Sequence, residues 1–366
     1  GEITVAGTMD VNAAATLANV TLNVARTDIT GSGSSLTVSN TGAFGKLGNV
    51  TVADHGTLTL TGTTAGTASS LSADISVSNN STASLANTAL AGSILVSADA
   101  NTLTLAQTSV TGNVTLLGTT NRLTMTDSTI GQTLTMDGGQ FDLYGANTVG
   151  ELLLNTTNIN LTLHDGATLN AVGKETVIDK NGLYRIEGTH TGNIRIANGT
   201  VDLGSEDYAG TLDGALALAY GTLNYNNADS AISAGNAITL TGESGFARNI
   251  NVNADWDASG NSLVANADGV INLASNLTLG SIASGSGTIT VNPTDRPRFL
   301  TLNETGEHTG DIVLNSSSDY IKSAGASSFK SVMLLTLNAA NALGTDGALK
   351  VIGDNRLVLA DGANQD

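Results

Sequence analysis

Histidine is the side chain best suited to acid–base chemistry near neutral pH. The chain has four, at His55, His164, His190 and His308. Two of them adjoin an aspartate, in Asp54-His55 and His164-Asp165. Because neighbouring residues of a strand point to opposite faces, neither sequence neighbour makes a catalytic pair. Both pairs are predicted to be solvated turns, and no catalytic residue is predicted.

The enzymatic alternative is a polysaccharide lyase or hydrolase, since stacked strands can bring carboxylates and a base together from successive repeats. Such a site would place charged residues about 20 to 25 positions apart, one repeat from the next. Arg185 and Arg195 are much closer than that in sequence, and Asp255 and Asp257 simply flank Trp256. The spacing therefore favours binding over catalysis.

The candidate binding residues are one aromatic side chain and two groups of bases. Tyr144 is predicted to face outward, because Phe141 and Leu143 in the same strand face inward, whereas Tyr225 and Trp256 share the phase of buried aliphatic residues. An acidic glycan or a matrix protein is expected to bind where positive charge is locally in excess. The basic candidates are Lys174, Lys180, Arg185, Arg195, Arg296 and Arg298.

The overall charge excludes several classes of partner. A net charge of −18, from 32 acidic and 14 basic residues, disfavours nucleic acid and anionic membrane surfaces. No apolar run approaches the roughly 20 residues that span a bilayer, so direct membrane insertion is not expected. Without cysteine, a calcium-roll repeat or an EF-hand loop, the sequence predicts no metal and no cofactor.

A repeat of about 20 residues organises the chain, with successive units starting at Gly92, Gly112, Gly131 and Gly150. Aliphatic residues alternate with polar ones inside each unit, which is typical of short strands with one buried face. The aliphatic positions fall into three columns: Ile94/Val96, Val114/Leu116, Leu134/Met136 and Leu152/Leu154; Leu103/Leu105, Leu123/Met125, Phe141/Leu143 and Leu161/Leu163; and Val110, Ile130 and Val149.

Three columns predict three faces, and therefore an all-β fold, a right-handed parallel β-helix that forms a single domain over residues 1–366. An array of β-sandwiches is the alternative, because Asn198-Gly199 and Asp137-Gly138-Gly139 are hairpin signals. Hairpins do not explain the regular repeat. The segment 327–344 fits a strand or a helix capped by Ser327 or Ser328, and Pro293 and Pro297 bracket a predicted loop.

Coils of the form Gly-x-(Val/Ile/Leu)-x-(Val/Ile/Leu), rich in Thr and Asn and free of Cys, extend over the chain. With TLNETGEHTGDIVLNSSSDY at 301 and NAANALGTDGALKVIGDNRLVLADG at 338, the sequence resembles the passenger domain of a bacterial type V autotransporter adhesin. The resemblance implies export across the outer membrane through a C-terminal barrel that this sequence does not contain. The protease branch is disfavoured, because the chain has no Gly-x-Ser-x-Gly motif.

The chain begins at Gly1 rather than Met and shows no signal peptide, so a mature or excised fragment is expected. The functional expectation is a non-enzymatic adhesin on the bacterial cell surface. Its partners would be copies of itself on neighbouring cells, giving aggregation and biofilm, or a host matrix protein or glycan. Outward Thr, Asn, Ser and Asp side chains repeated at about 4.8 Å would supply many weak hydrogen bonds for this contact.

Overall fold

The computed structural model describes residues 1–63, 69–154, 159–171, 174–294, 296–316, 320–321, 329–330 and 332–363. The chain divides into two compact units, Gly1–Gly182 and Leu183–Asp366. Strands are the regular elements of the described part of both units. They pair in parallel with the equivalent strands of the coils before and after, so each unit is a parallel β-helix, as predicted.

The strands of the first unit have these bounds: β1 (Glu2–Val11), β2 (Ala14–Ala18), β3 (Thr21–Thr30), β4 (Ser35–Ser39), β5 (Gly45–Ala53), β6 (Thr57–Thr61), β7 (Ser69–Ser78), β8 (Thr82–Ala86), β9 (Thr88–Ala91), β10 (Ile94–Ser97), β11 (Thr102–Ala106), β12 (Ser109–Val110), β13 (Val114–Leu116), β14 (Arg122–Thr126), β15 (Thr129–Met136), β16 (Gly139–Tyr144), β17 (Ala146–Leu154), β18 (Ile159–Leu163), β19 (Thr168–Ala171) and β20 (Thr176–Ile178).

The strands of the second unit, the first of which begins at Gly182, have these bounds: β21 (Gly182–Ile186), β22 (Thr189–Thr191), β23 (Ile194–Ile196), β24 (Gly199–Leu203), β25 (Thr211–Asp213), β26 (Leu216–Leu218), β27 (Gly221–Tyr225), β28 (Ala231–Ile232), β29 (Ala237–Leu240), β30 (Arg248–Val252), β31 (Trp256–Ala265), β32 (Gly269–Leu273), β33 (Leu277–Ser284), β34 (Ile289–Pro293), β35 (Arg298–Leu302), β36 (Ile312–Asn315), β37 (Tyr320–Ile321), β38 (Phe329–Lys330), β39 (Met333–Leu337), β40 (Leu349–Ile352) and β41 (Asn355–Leu359).

One sheet of each unit takes a single strand from every coil, and we call it the front sheet. In the first unit its order is β2-β4-β6-β8-β11-β14-β16-β18, and in the second it is β21-β24-β27-β30-β32-β34-β36-β40. The remaining strands, apart from the antiparallel pair β37–β38, form a bent sheet that supplies the other two sides of each coil.

The three predicted aliphatic columns are confirmed as three buried stacks. On the front sheet Leu103 pairs with Leu123, Leu123 with Phe141, and Phe141 with Leu161. On the bent sheet Ile94 pairs with Val114, and Val114 with Leu134. The third column is also stacked, with Val110 opposite Ile130. These side chains are almost completely buried, so the repeat period is the spacing of coils around one apolar core.

The hairpin interpretation of the two glycine-containing corners is wrong. β15 and β16, which meet at Gly138-Gly139, belong to different sheets, as do β23 and β24, which meet at Asn198-Gly199. Gly138 and Gly139 have φ of 134° and 107°, which lets the chain turn from one side to the next. A Cβ on Gly139 would lie 2.1 Å from the Asn121 carbonyl oxygen, so this corner sits against the preceding one.

Asparagine holds the neighbouring corners through buried hydrogen bonds. The Asn101 Oδ1 atom accepts from the Ser81 N–H at 3.0 Å, and its Nδ2 donates to the Ser97 carbonyl at 2.9 Å. Asn121 repeats the arrangement one coil later, accepting from the Asn101 N–H at 3.0 Å. Because both amides are fully buried, these bonds satisfy polar groups that would otherwise destabilise the corner.

The helical alternative for 327–344 is wrong where the structure describes that segment. Met333–Leu337 is strand β39, in which Leu335 pairs with Leu300 and Leu357 of the adjacent coils. The proposed capping residues, Ser327 and Ser328, lie outside the described residues. Alternating burial along β39 matches a strand between two others, which explains why the Leu-rich pattern fits the β-helix.

The aromatic residues predicted to pack inside do so. Tyr225 and Trp256 are buried, and their rings stack with centroids 4.5 Å apart. A second buried pair joins Tyr184 and His190, whose hydroxyl and Nδ1 atoms are 3.0 Å apart. In the described surroundings the His190 Nε2 atom has no hydrogen-bond partner, and burial lowers the pKa of His190 to about 4.

Stability should therefore decrease on acidification. Because the pKa of His190 falls from 6.5 to about 4 on folding, its contribution is complete above pH 6.5 and is lost as the pH falls towards 4, by on the order of 3 kcal/mol. Denaturant titrations at pH 7, 5.5 and 4 measure this. The unfolding free energy of the double variant Tyr184→Phe/His190→Leu should depend less on pH than that of the wild type. If the unfolding free energy of the double variant fell with pH as steeply as that of the wild type, His190 would not be the cause of the pH dependence.

Candidate functional site

Tyr144 is the last residue of β16, and 41% of its surface is exposed, so its predicted outward orientation is confirmed. Its ring stacks on His164, with centroids 4.2 Å apart and an angle of 6° between the planes. The register explains the stack. Leu143 pairs with Leu163, and Tyr144 and His164 are the residues that follow them. One coil therefore places its ring directly over the ring of the next.

Asp142 and Arg122 extend this arrangement across the front sheet. The His164 Nε2 atom is 2.9 Å from Asp142 Oδ1, and the Arg122 Nη2 atom is 4.0 Å from Asp142 Oδ2. We call Arg122, Asp142, Tyr144 and His164 the Tyr144 cluster. Sequence reasoning missed three of its members, because it compared His164 with its neighbour Asp165. The signal was the repeat itself, which aligns Asp142 and Tyr144 with the next coil.

The remaining histidines are not part of a surface cluster. Asp54 and His55 both have positive φ, 53° and 71°, and form the predicted turn. The Asp54 carboxylate accepts a hydrogen bond from Asn79 Nδ2 at 2.9 Å. His190 and His308 are buried, and burial lowers the pKa of each. His55 is thus part of a turn, and His190 and His308 are part of the packed core.

An asparagine ladder runs along the outer face of the front sheet in the second unit. Each Nδ2 atom donates to the Oδ1 atom of the preceding coil, over distances of 2.7 to 3.0 Å. The amide dipoles therefore point in one direction and end on a carboxylate. The members of the ladder, in order, are Asp202, Asn224, Asn251, Asn272, Asn292 and Asn315.

The ladder ends beside Arg185, whose Nη2 atom is 3.7 Å from Asp202 Oδ2. One oxygen of Asp202 thus accepts a hydrogen bond from Asn224, and the other faces the Arg185 guanidinium. A cleft of about 540 Å³ opens at this point, and we call it the Arg185 cleft. Its lining consists of Arg185, Asp202, Gly204, Ser205, Glu206, Asn226, Asn227, Ala228 and Ala254.

The other predicted basic residues have separate environments. Lys174 forms an ion pair with Glu151 at 3.2 Å. Lys180 lies in a turn with φ of 51°, and Arg195 is the central residue of β23 on the bent sheet, whereas Arg185 lies on the front sheet.

The proline segment separates its two arginines. β34 ends at Pro293 and β35 begins at Arg298, so Arg296 lies in the predicted loop and Arg298 lies outside it. Hydrogen bonds from Ser275 and Asn276 and the positive charge of Arg298 lower the pKa of Asp255. Arg298 is thus placed near an acidic residue, and its role as a binding residue stays a prediction.

The first five strands of the front sheet have an outer face of Ala, Ser and Thr only, which we call the hydroxyl face. Their registers match residue for residue without a bulge. Within the described chain, none of these hydroxyls forms a hydrogen bond to the protein. The hydroxyl-bearing residues are Thr16, Ser35, Thr37, Ser39, Thr57, Thr59, Thr61, Thr82, Ser84, Thr102 and Thr104.

Compared with models of protein families, curated proteins and solved structures, the chain has no match. The described residues contain no group of three or more His, Cys, Asp or Glu side chains arranged to hold a metal ion. In the same part of the chain, no helix has the length and apolar character needed to cross a membrane.

Removing one amide from the middle of the asparagine ladder should destabilise the second unit. Asn251→Ala breaks one bond to Asn224 and one to Asn272, so the free energy of unfolding should fall by about 1 to 2 kcal/mol. Asn249→Ala is the matched control, since Asn249 lies on the same face of β30, and its loss should cost less than about 0.5 kcal/mol. Denaturant unfolding of both variants measures the difference, and equal losses would show that the ladder contributes nothing.

Proposed function

We propose that the protein is a bacterial cell-surface adhesin whose β-helix presents repeated polar faces for attachment to copies of itself or to host matrix and glycans. The observation that best supports self-association is the hydroxyl face. Its hydroxyls are unpaired within the described chain, and they repeat from coil to coil in register. The resemblance to autotransporter passenger domains supports the bacterial surface location and the route of export.

The charge distribution also supports side-by-side pairing through the hydroxyl face. Two copies that each carry a charge of −18 repel one another over most orientations. The hydroxyl face has no charged side chain, so two such faces can approach without placing like charges in contact. One hydrogen bond contributes only about 1 kcal/mol, but many bonds formed together between two paired hydroxyl faces add up to a stable contact.

Self-association should be lost when negative charge is placed on the hydroxyl face. In Thr59→Glu/Thr104→Glu, two paired copies would bring carboxylates together, so clumping of displaying cells and dimerisation of the purified chain should both decrease strongly. Thr51→Glu/Thr115→Glu is the matched control, because these residues lie on the outer face of the bent sheet. Cell sedimentation and analytical ultracentrifugation measure the effect, with circular dichroism to verify folding.

Two outcomes would contradict self-association through this face. One is unchanged clumping of cells that display Thr59→Glu/Thr104→Glu. The other is an equal loss in both double variants, which would show a general charge effect and not a particular contact surface.

A polysaccharide-active enzyme is the second candidate, and the Arg185 cleft favours it. The cleft brings the carboxylates of Asp202 and Glu206 to one opening with the guanidinium of Arg185. Two carboxylates beside a sugar chain are the usual requirement for glycoside hydrolysis. However, Asp202 already uses one oxygen for the asparagine ladder and faces Arg185 with the other. A structural end to the ladder therefore accounts for Asp202 without a reaction.

We accordingly expect the purified chain to release no new reducing ends and no unsaturated uronate from a panel of neutral and acidic polysaccharides. Glu206→Gln and Asp202→Asn serve as controls for any activity that appears. Turnover by the wild type that Glu206→Gln abolishes would replace the adhesin proposal with the enzymatic one. Turnover that survives both substitutions would rule out the Arg185 cleft as its source.

A further inference from the structure

We propose that the Tyr144 cluster binds a short acidic oligosaccharide, with one sugar ring against Tyr144 and the carboxylate of another sugar at Arg122. This inference deepens the adhesin proposal and rests on it for its biological setting. It joins the exposed ring of Tyr144 to Arg122, a basic residue that lies outside both groups of bases picked out by the sequence. The site lies on three consecutive coils of the first unit.

The aromatic side of the site is held in place before any ligand arrives. His164 covers one face of the Tyr144 ring, and Asp142 fixes His164 through its Nε2 atom. The other face of the ring is directed along the sheet towards Thr126, the residue of the preceding strand that pairs with Tyr144. Thr126 is short, so it leaves room beside the ring for the apolar C–H face of a sugar. A fixed ring loses little conformational entropy on binding.

The charged side of the site is Arg122. Its side chain is 58% exposed, and its Nη2 atom is 4.0 Å from Asp142, which is too long for a hydrogen bond. The guanidinium therefore keeps donors for a ligand carboxylate, which it can bind through two parallel bonds. Gln140 and Asn160 stand in register with Arg122 on the next two coils, and both are exposed. Their amides can bind sugar hydroxyls.

Neighbouring charges set the direction of the ligand. Asp127 and Asp165 lie in the turns beside the Tyr144 end of the site, so a carboxylate there would be repelled. Asp142 is only 14% exposed and directs one oxygen to His164. The anionic group is therefore expected at the Arg122 end. The Cα atoms of Tyr144 and Arg122 are displaced by four residues along the strand and one coil, which is about 14 Å, the length of a short oligosaccharide.

Isothermal titration of the full chain tests the site. The probe is a tetrasaccharide of alternating uronic acid and N-acetylhexosamine, compared with the same tetrasaccharide after reduction of its carboxylates to alcohols. The acidic probe should bind about tenfold more tightly than the reduced one. Tyr144→Ala should weaken both by about tenfold, and Arg122→Gln should remove the preference for the acidic probe.

Two matched substitutions control for general effects. Tyr208→Ala removes another exposed tyrosine, and Arg26→Gln removes an arginine whose side chain is 56% exposed, close to that of Arg122. Neither should change either affinity. The inference is overturned if the wild type binds neither probe at millimolar concentration, if the controls weaken binding as much as the test variants, or if Arg122→Gln keeps the preference.

The two proposals fail in different ways. Loss of clumping in Thr59→Glu/Thr104→Glu without any binding of the tetrasaccharide would keep the adhesin proposal and reject the sugar site. Binding of the acidic probe at Tyr144 and Arg122, with no clumping of displaying cells and no attachment to matrix or glycan surfaces, would keep the site and reject the adhesin proposal.

Discussion

The structure depends on one constraint, the fixed register between strands of successive coils. Parallel pairing at about 4.8 Å places each residue over its counterpart about 20 positions later. An inward position must then suit the same core at every level, as Leu103, Leu123, Phe141 and Leu161 do. The same rule acts on the outer face, where it stacks identical polar groups that no single coil could bring together.

The length of the side chain decides whether a stack of outward polar residues forms hydrogen bonds between coils. An asparagine amide carries a donor and an acceptor on a side chain long enough to meet its counterpart one coil away, so Asn224 and Asn251 bond to each other. A threonine hydroxyl sits on Cβ, and Thr59 and Ser84 are paired in register yet form no side-chain bond among the described residues. The ladder therefore uses its polar groups internally, whereas the hydroxyl face keeps them for water or a partner.

The sequence predicted the fold because periodic burial is a strong local signal. The three columns, the inward Tyr225 and Trp256 and the outward Tyr144 all follow from alternation within a strand. Contacts between coils were harder to predict, although the repeat contained the necessary alignment, and both the pairing of Asp142 with His164 and the asparagine ladder were missed. The Arg185 cleft could not have been predicted from the period, because it forms beside corners of unequal length after β24 and β27.

The outer face of the front sheet changes its chemistry along the first unit while its backbone stays the same. From β2 to β11 it is neutral and hydroxylated, and at β14 and β16 it gains Arg122, Asp142 and Tyr144. A neutral array suits contact with an identical array, since neither copy introduces a charge. A ring beside a cation suits a smaller ligand, which needs a few strong contacts in one place. A repeat with fixed backbone geometry can therefore carry two kinds of recognition surface, because the outward positions are free to vary while the buried columns hold the register.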